Sequence, residues 1–320
     1  MNILVTGGAG FIGSHLCEKY TQEGHTVLCL DNFLSGDLIN VRHLLDCRNF
    51  KLIKGDIRDR PLLENVCRDV DVILNLAAQI HVDRSYIEPG LTYDINVMGT
   101  QNVLEVARFH DIDKVIHAST SEVYGSALHV PIDENHPLNA PHPYGASKIA
   151  ADRMCYAYIH TYGLNVSLLR FFNIFGPRQR DIGYGGVISI FTRRIMMDMP
   201  PIIFGDGMQT RDYTYIDDAV RAYDLALNHN GRIDEPLNLG TGSEITITEI
   251  AEKLIRLCGK KGKMRPVYVE PRIGEVKRLI ANSDKARSVL GWEPSVDFEK
   301  GLDMFVKWYR NYGMDRRQTF

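Results

Sequence analysis

Tyr144 and Lys148 stand four residues apart at the start of a helical stretch, so one helix face carries both. A free tyrosine titrates at about 10, and a cation beside it stabilises the phenolate and moves that value towards neutrality. The pair reads as a candidate base that takes a proton from a substrate hydroxyl. Far upstream, Thr6-Gly7-Gly8-Ala9-Gly10-Phe11-Ile12-Gly13 sets glycines at 7, 10 and 13 between an apolar run and an amphipathic stretch. Gly7 permits a tight turn, Gly10 lets the backbone approach a pyrophosphate, and Gly13 lets helix and strand pack closely. The pyrophosphate would sit on the helix N-terminus, where unpaired N–H groups and the macrodipole favour an anion.

Asp31 follows Gly13 by eighteen positions and ends the second apolar run. A carboxylate there accepts hydrogen bonds from an adenosine ribose and repels a 2'-phosphate, which favours NAD over NADP. Asp56-Ile57, after the third run, is placed to border the adenine, and Leu76-Ala77-Ala78, after the fourth, offers small side chains beside the phosphates.

These groups need strand ends and helix starts to hold them. The runs 1–5, 26–30, 50–54, 70–76, 114–118 and 166–171 read as strands, and 11–22, 62–67, 97–109 and 144–162 read as helices. Their alternation predicts an α/β fold, a doubly wound parallel sheet of Rossmann type with right-handed crossovers. After Asn173 the rhythm breaks into Gly-, Pro- and Arg-rich excursions, with one further helix over 248–257, and this half predicts a smaller C-terminal substrate-binding lobe. The expected division is a NAD-binding domain over 1–172, with 212–242 returning to it, and a lobe made of 173–211 and 243–320.

Composition narrows the classes. The chain has 320 residues, 44% of them hydrophobic and 24% charged, which is enough for a packed core and excludes a disordered protein. A formal charge of -3 shows no basic excess, so no nucleic-acid partner is expected. No apolar run reaches the roughly 18 residues of a membrane span and no signal sequence is evident, so the expectation is a soluble, cytoplasmic protein without a membrane partner. Six cysteines lack C-x-x-C spacing, and neither a disulfide framework nor a metal site is expected.

With Asp31-Asn32, Asp56, Leu76-Ala77-Ala78, Asn96, Ser119-Thr120-Ser121-Glu122-Val123-Tyr124-Gly125, Arg170-Phe171-Phe172-Asn173, Gly176-Pro177-Arg178 and Arg211-Asp212-Tyr213-Thr214-Tyr215-Ile216 added to the glycine loop and the Tyr144/Lys148 pair, the whole chain resembles a known family. It is similar to the extended short-chain dehydrogenase/reductases that modify nucleotide-sugars, the NAD-dependent epimerase/dehydratase group. The resemblance implies that Tyr144 is the base, that Lys148 holds the nicotinamide ribose and lowers the tyrosine pKa, and that Thr120 hydrogen-bonds the sugar O4. It also implies that Gly7, Gly10, Phe11, Ile12, Asp31, Asn32, Asp56, Ile57, Leu76, Ala77, Ala78 and Asn96 line the NAD site. Asn173 would touch the sugar diphosphate, Val187 and Arg211 would line the nucleotide and diphosphate pocket, and Arg272 and Glu275 would hold the nucleotide. An arginine suits a diphosphate, since its planar fork donates two bonds at once. The family further implies a homodimer built on the helices of 97–109 and 144–162.

The shared first step oxidises C4 of the sugar. A 4-epimerase then only rotates the ketone, whereas a 4,6-dehydratase must also move the C5 proton and protonate the C6 hydroxyl. Thr120-Ser121-Glu122 resembles the triplet of some 4,6-dehydratases and of UDP-glucuronate decarboxylases, although Ser121 stands where glucose-type dehydratases carry an acid. The segment 183–191 is similar to the substrate loop of UDP-hexose 4-epimerases. The expectation is an NDP-hexose 4,6-dehydratase with Thr120, Ser121 and Glu122 beside Tyr144 and Lys148. A UDP-hexose 4-epimerase is the alternative, then a UDP-glucuronate decarboxylase, and last a non-catalytic NAD-binding protein. A UDP-sugar is the favoured substrate.

Overall fold

The computed structural model describes residues 1–183, 185–271 and 276–313. They form two compact units. The first is built from Met1–Gly125, Pro137–Phe171 and Val220–Leu237, and the second from Ser126–His136, Phe172–Ala219 and the chain from Asn238 onward.

In the first unit, strands β1 (Asn2–Thr6), β2 (Thr26–Asp31), β3 (Phe50–Lys54), β4 (Val72–Asn75), β5 (Lys114–Thr120) and β6 (Val166–Phe171) alternate with helices. The helices are α1 (Phe11–Gln22), α2 (Arg60–Val66), α3 (Val82–Ile87), α4 (Pro89–Tyr93), α5 (Thr100–Phe109) and α6 (Pro143–Tyr162). The sheet runs β6-β5-β4-β1-β2-β3, with the strand Leu237–Leu239 added beside β6. All pairs among β1 to β6 are parallel. This is the predicted doubly wound order, and the chain reverses direction across the sheet between β1 and β4, the place where such folds open a binding crevice.

Strands covered on both faces must be apolar nearly throughout. Every residue of β4 and β6 is accordingly buried. Leu4, Ile73, Val115 and Leu168 from the sheet pack with Val103, Leu104 and Ile159 from the helices. Two cations enter this layer, and both are satisfied. Lys114 donates to the carbonyls of Ala226, Leu227 and His229, each at 3.0 Å, and Arg170 pairs with Asp152 at 2.8 Å.

One predicted helix is built differently. Between α4 and α5 the residues Asp94–Gly99 form a π turn, so the helix expected to begin at Val97 has a widened segment at its entrance. An extra residue in a helical turn rotates its neighbours, and such turns often position functional side chains. Here Asn96 is turned inward and buried.

The second unit consists of short strands and helices. Tyr213–Tyr215 pairs with Asn173–Phe175, Val267–Val269 with Ile202–Phe204, and Thr210–Arg211 lies between Ile245–Thr246 and Arg278–Leu279. Buried carboxylates fasten it. Asp212 accepts from the backbone N–H groups of Thr241, Gly242 and Ala281, and Asp218 from those of Ser295 and Val296. The division differs from the expected one over 126–136, at Phe172 and at both ends of the returning segment. Ile132 bridges to Ala281, which puts 126–136 in the second unit. The bonds of Asp212 and Asp218 keep 212–219 there too, so the returning segment is 220–237.

Among the described residues no helix is long and apolar enough to cross a membrane. No group of three or more His, Cys, Asp or Glu is arranged to hold a metal among them either.

Candidate active site

The site grows from the start of α6. Pro143 occupies the first helical turn, where a missing N–H costs nothing, and the His142 side chain caps the helix by accepting from the Gly145 N–H at 2.9 Å. Helix geometry then sets Tyr144 and Lys148 on one face, and both are buried. The Tyr144 phenol is within hydrogen-bonding reach of Thr120, which ends β5.

The titration of Tyr144 runs against the sequence expectation. Burial, with a contribution from the Glu122 carboxylate, pushes the phenol well above its ordinary value, and the Thr120 bond only partly opposes this. The physical reason is desolvation of a phenolate in a closed pocket. Lys148 is itself pushed down by burial. Its amine donates to the Ala118 carbonyl at 2.6 Å and lies 3.4 Å from His117 Nε2.

Thr120 also caps the short turn Ser121–Tyr124, accepting the Glu122 N–H at 3.3 Å. That turn is pressed against α6: a Cβ on Gly145 would lie 2.9 Å from the Glu122 carbonyl oxygen. Glu122 therefore stands beside the first turn of α6, and its carboxylate lies 3.1 Å from His142 Nε2. Since His142 Nδ1 already accepts from Gly145, the neutral ring must carry its hydrogen on Nε2 and donate it to Glu122. The same imidazole stacks on Tyr144, with ring centroids 6.0 Å apart and planes at 10°. Ser121 is buried in this turn. Below it, the Arg170 guanidinium joins Asp152 to the Tyr124 hydroxyl at 2.8 Å each.

The residues expected to hold NAD fit that group. Gly7 adopts φ +67°, and a Cβ there would lie 2.9 Å from Ala77 N, so the turns ending β1 and β4 touch only because this position is glycine. At Gly13 a Cβ would come within 2.3 Å of the Gly7 carbonyl oxygen. Helix α1, beginning with Phe11 and Ile12, has no side-chain cap and no acidic residue in its first turn, which leaves its N-terminus suited to a pyrophosphate. Asp31 is buried at the end of β2 and accepts from Ala9 N at 2.9 Å and Phe33 N at 2.7 Å, and each of its oxygens keeps a lone pair for a ribose hydroxyl. Burial raises its pKa despite those two bonds. Asn32 donates to Asp56 at 2.7 Å, and Arg58 grips the same carboxylate, which lowers the Asp56 pKa to about 2. Ile57 is buried beneath, against Gly99. The N–H groups of Leu76 and Ala77 both bond Thr6 Oγ1 at 3.2 Å, with Ala78 next in the same turn.

Asn96 has another task as well. Its amide accepts from Gln79 N at 2.8 Å and donates to Gln79 O and Ser147 Oγ, both at 2.9 Å. It brackets the segment after β4 to the first turns of α6. In the second unit, Asn173 donates to the Asp212 carbonyl at 3.3 Å, Val187 opens the helix Val187–Met196, and Arg211 donates to the Thr210 carbonyl at 2.9 Å. Arg272 and Glu275 lie outside the described residues.

Sequence reasoning missed His142, His117, Asn75 and Gln79 as members of the site. The available signal was local: a histidine directly before Pro-Tyr at a helix start, and another within the strand that ends in Thr120.

The family model described as GDP-mannose 4,6 dehydratase matches residues 4–305. The UDP-glucose 4-epimerase of Mycolicibacterium smegmatis is 36% identical over 97% of this chain and 99% of its own length. Two solved structures superpose closely. The UDP-glucose 4-epimerase of Thermotoga maritima, solved with UDP-glucose, has a TM-score of 0.92 and 37% identity, covering 97% of this chain and 99% of that one. The dTDP-glucose 4,6-dehydratase of Streptomyces venezuelae, solved with NAD bound, has a TM-score of 0.92 and 34% identity over 98% of each chain. The family match and the fold agree, and the chain belongs to the family of NAD-dependent nucleotide-sugar epimerases and dehydratases.

Proposed function

We propose that this enzyme is a nucleotide-sugar 4,6-dehydratase: it oxidises C4 of an NDP-hexose and then removes water across C5 and C6. The observation that carries the reading is Glu122, an acceptor carboxylate held by His142 beside Tyr144. Tyr144 takes the C4 hydroxyl proton, with Thr120 steering the oxygen and Lys148 countering the phenolate charge. The nicotinamide, when bound, would take the hydride from C4 and return it to C6 after water has left, while C5 takes a proton from solvent. The ketone acidifies C5–H, which Glu122 removes. With Ser121 next to it in place of a second acid, Glu122 hands that proton to the departing C6 hydroxyl, so one carboxyl group acts as base and then as acid. Asn173, Val187 and Arg211 bind the nucleoside diphosphate, and the family resemblance adds Arg272 and Glu275.

A 4-epimerase is the second reading, supported by the names of the Mycolicibacterium and Thermotoga relatives. Under it Glu122 is a hydroxyl ligand and the C5 proton never leaves. The same relatives' names favour a UDP-sugar as substrate. Six cysteines with no disulfide among them suit a reducing compartment, in line with a cytoplasmic enzyme, and we infer a homodimer.

Proton NMR in deuterium oxide, with NAD and either UDP-glucose or dTDP-glucose, decides between the readings. A dehydratase gives a 6-deoxy methyl signal and takes up deuterium at C5. Inversion at C4 without deuterium uptake establishes the epimerase and removes the proposed role of Glu122.

A further inference from the structure

A buried chain of hydrogen bonds runs from the glycine turn to His117, which lies beside Lys148, and its direction is forced. Thr6 Oγ1 receives the N–H groups of Leu76 and Ala77 at 3.2 Å each and sends its own hydrogen to Asn75 Oδ1 at 2.7 Å. The reverse orientation of the Asn75 amide would give the Thr6 oxygen three donors and leave its hydroxyl hydrogen without an acceptor. Asn75 Nδ2 therefore points at His117 Nδ1, 3.0 Å away. That ring nitrogen accepts, so a neutral His117 carries its hydrogen on Nε2, and Nε2 faces the Lys148 amine at 3.4 Å. Thr6, Asn75, His117 and Lys148 are each no more than 5% exposed, so water does not supply alternative partners. Burial and the nearby lysine hold His117 well below its ordinary value, which keeps the ring neutral.

We propose that His117 is a positioning residue for Lys148. Locked in its Nε2–H form by Asn75 and Thr6, it presents a donor to the back of the amine. It thereby directs the lysine hydrogens to the Ala118 carbonyl and away from the ring, and makes the ammonium easier to deprotonate. The lysine that serves Tyr144 is in this way tuned from the same turn that receives the cofactor phosphates.

The other groups facing Lys148 lie on its own helix. Asp152 favours the ammonium but is engaged by Arg170, and Arg170 in turn bonds Tyr124. Cys155 is held protonated by burial, and Tyr144 stands one turn away. Burial is what pushes Lys148 down, and the lysine charge in turn helps to keep His117 neutral. The proposal concerns C4 oxidation alone, so it holds equally for a dehydratase and for an epimerase.

The tautomer is read directly by long-range nitrogen–proton NMR of the full chain labelled at histidine, with His117→Gln giving the assignment. The expected result is an Nε2–H ring throughout the neutral range, and an Nδ1–H ring or an imidazolium overturns the proposal. Thr6→Val, nearly isosteric, frees Asn75 to turn over, so that His117 becomes an acceptor for the ammonium. The alkaline limb of C4 oxidation, followed as NADH formation with NAD and UDP-glucose or dTDP-glucose, then moves up by about one pH unit. His117→Phe, which removes the donor, moves it in the same direction. Lower rates in both variants with the limb unmoved would mean only a structural role and would also overturn the proposal.

Discussion

Glutamine at position 122 keeps the shape of the side chain and its hydrogen bond to His142 but cannot take a proton. For the dehydratase, Glu122→Gln lowers net turnover by about 10²- to 10⁴-fold while single-turnover NADH formation stays within about tenfold of the parent. Equal loss of both steps would remove Glu122 from the C5–C6 chemistry. Tyr144→Phe acts one step earlier and abolishes NADH formation itself, and an unchanged NADH signal in that variant counts against Tyr144 as the base. The two variants separate because Tyr144 meets Thr120 whereas Glu122 meets His142. Both residues stood out in the sequence, Tyr144 through its spacing to Lys148 and Glu122 through the triplet it closes, and the fold brings both to the start of α6. The histidines carried only a weak local signal, because the partners that give them meaning are distant in the chain: His142 is 20 residues from Glu122 and His117 is 31 from Lys148. The direction of the Tyr144 shift was also hidden, since a residue pair shows a neighbouring charge but not the burial that outweighs it.

Helix α6 ties two of these roles to one cap. His142 accepts the Gly145 N–H and donates to Glu122, so its substitutions separate folding from chemistry. Asparagine is among the best N-caps, while alanine leaves the helix uncapped and costs about 0.5–2 kcal/mol. His142→Asn should therefore unfold close to the parent temperature and His142→Ala lower, as thermal melts will show. Both lose the imidazole N–H that steadies Glu122, so both should slow dehydration more than C4 oxidation. If dehydration falls only in the alanine variant, the cap alone matters and the bond to Glu122 does not. At this scale the sequence carried the regular elements well, since β3, α1 and β6 end where apolar patterning ends. It did not carry the π turn Asp94–Gly99, because one inserted residue barely disturbs a helical period. What holds that turn is the set of bonds from Asn96 to Gln79 and Ser147, which join segments 17 and 51 residues away.

Across the whole molecule, the parallel sheet was readable from the alternation of strands and helices, but the boundaries of the units were not. The bridge of Ile132 to Ala281 and the bonds of Asn238 to Glu134 and Ile132 tie 126–136 to the second unit, and no local pattern announces pairings of that range. Association is a property of this scale too. Helices α5 and α6 pack on each other in the first unit, and at this layer Met98, Phe109 and Tyr162 stay 50%, 71% and 54% exposed, with Tyr156 at 39%. Large apolar side chains left exposed on these helices and on the π turn before α5 are a candidate for burial against a like surface, and a two-fold dimer uses the same surface twice. Sedimentation equilibrium should give about twice the chain mass of 36.3 kDa. Phe109→Glu combined with Met98→Lys leaves Thr120, Tyr144 and Lys148 in place but puts charge into the contact, so it should shift the equilibrium towards monomer. A parent that sediments as a single chain at every concentration would remove these helices as the contact and leave their exposed aromatics without a partner.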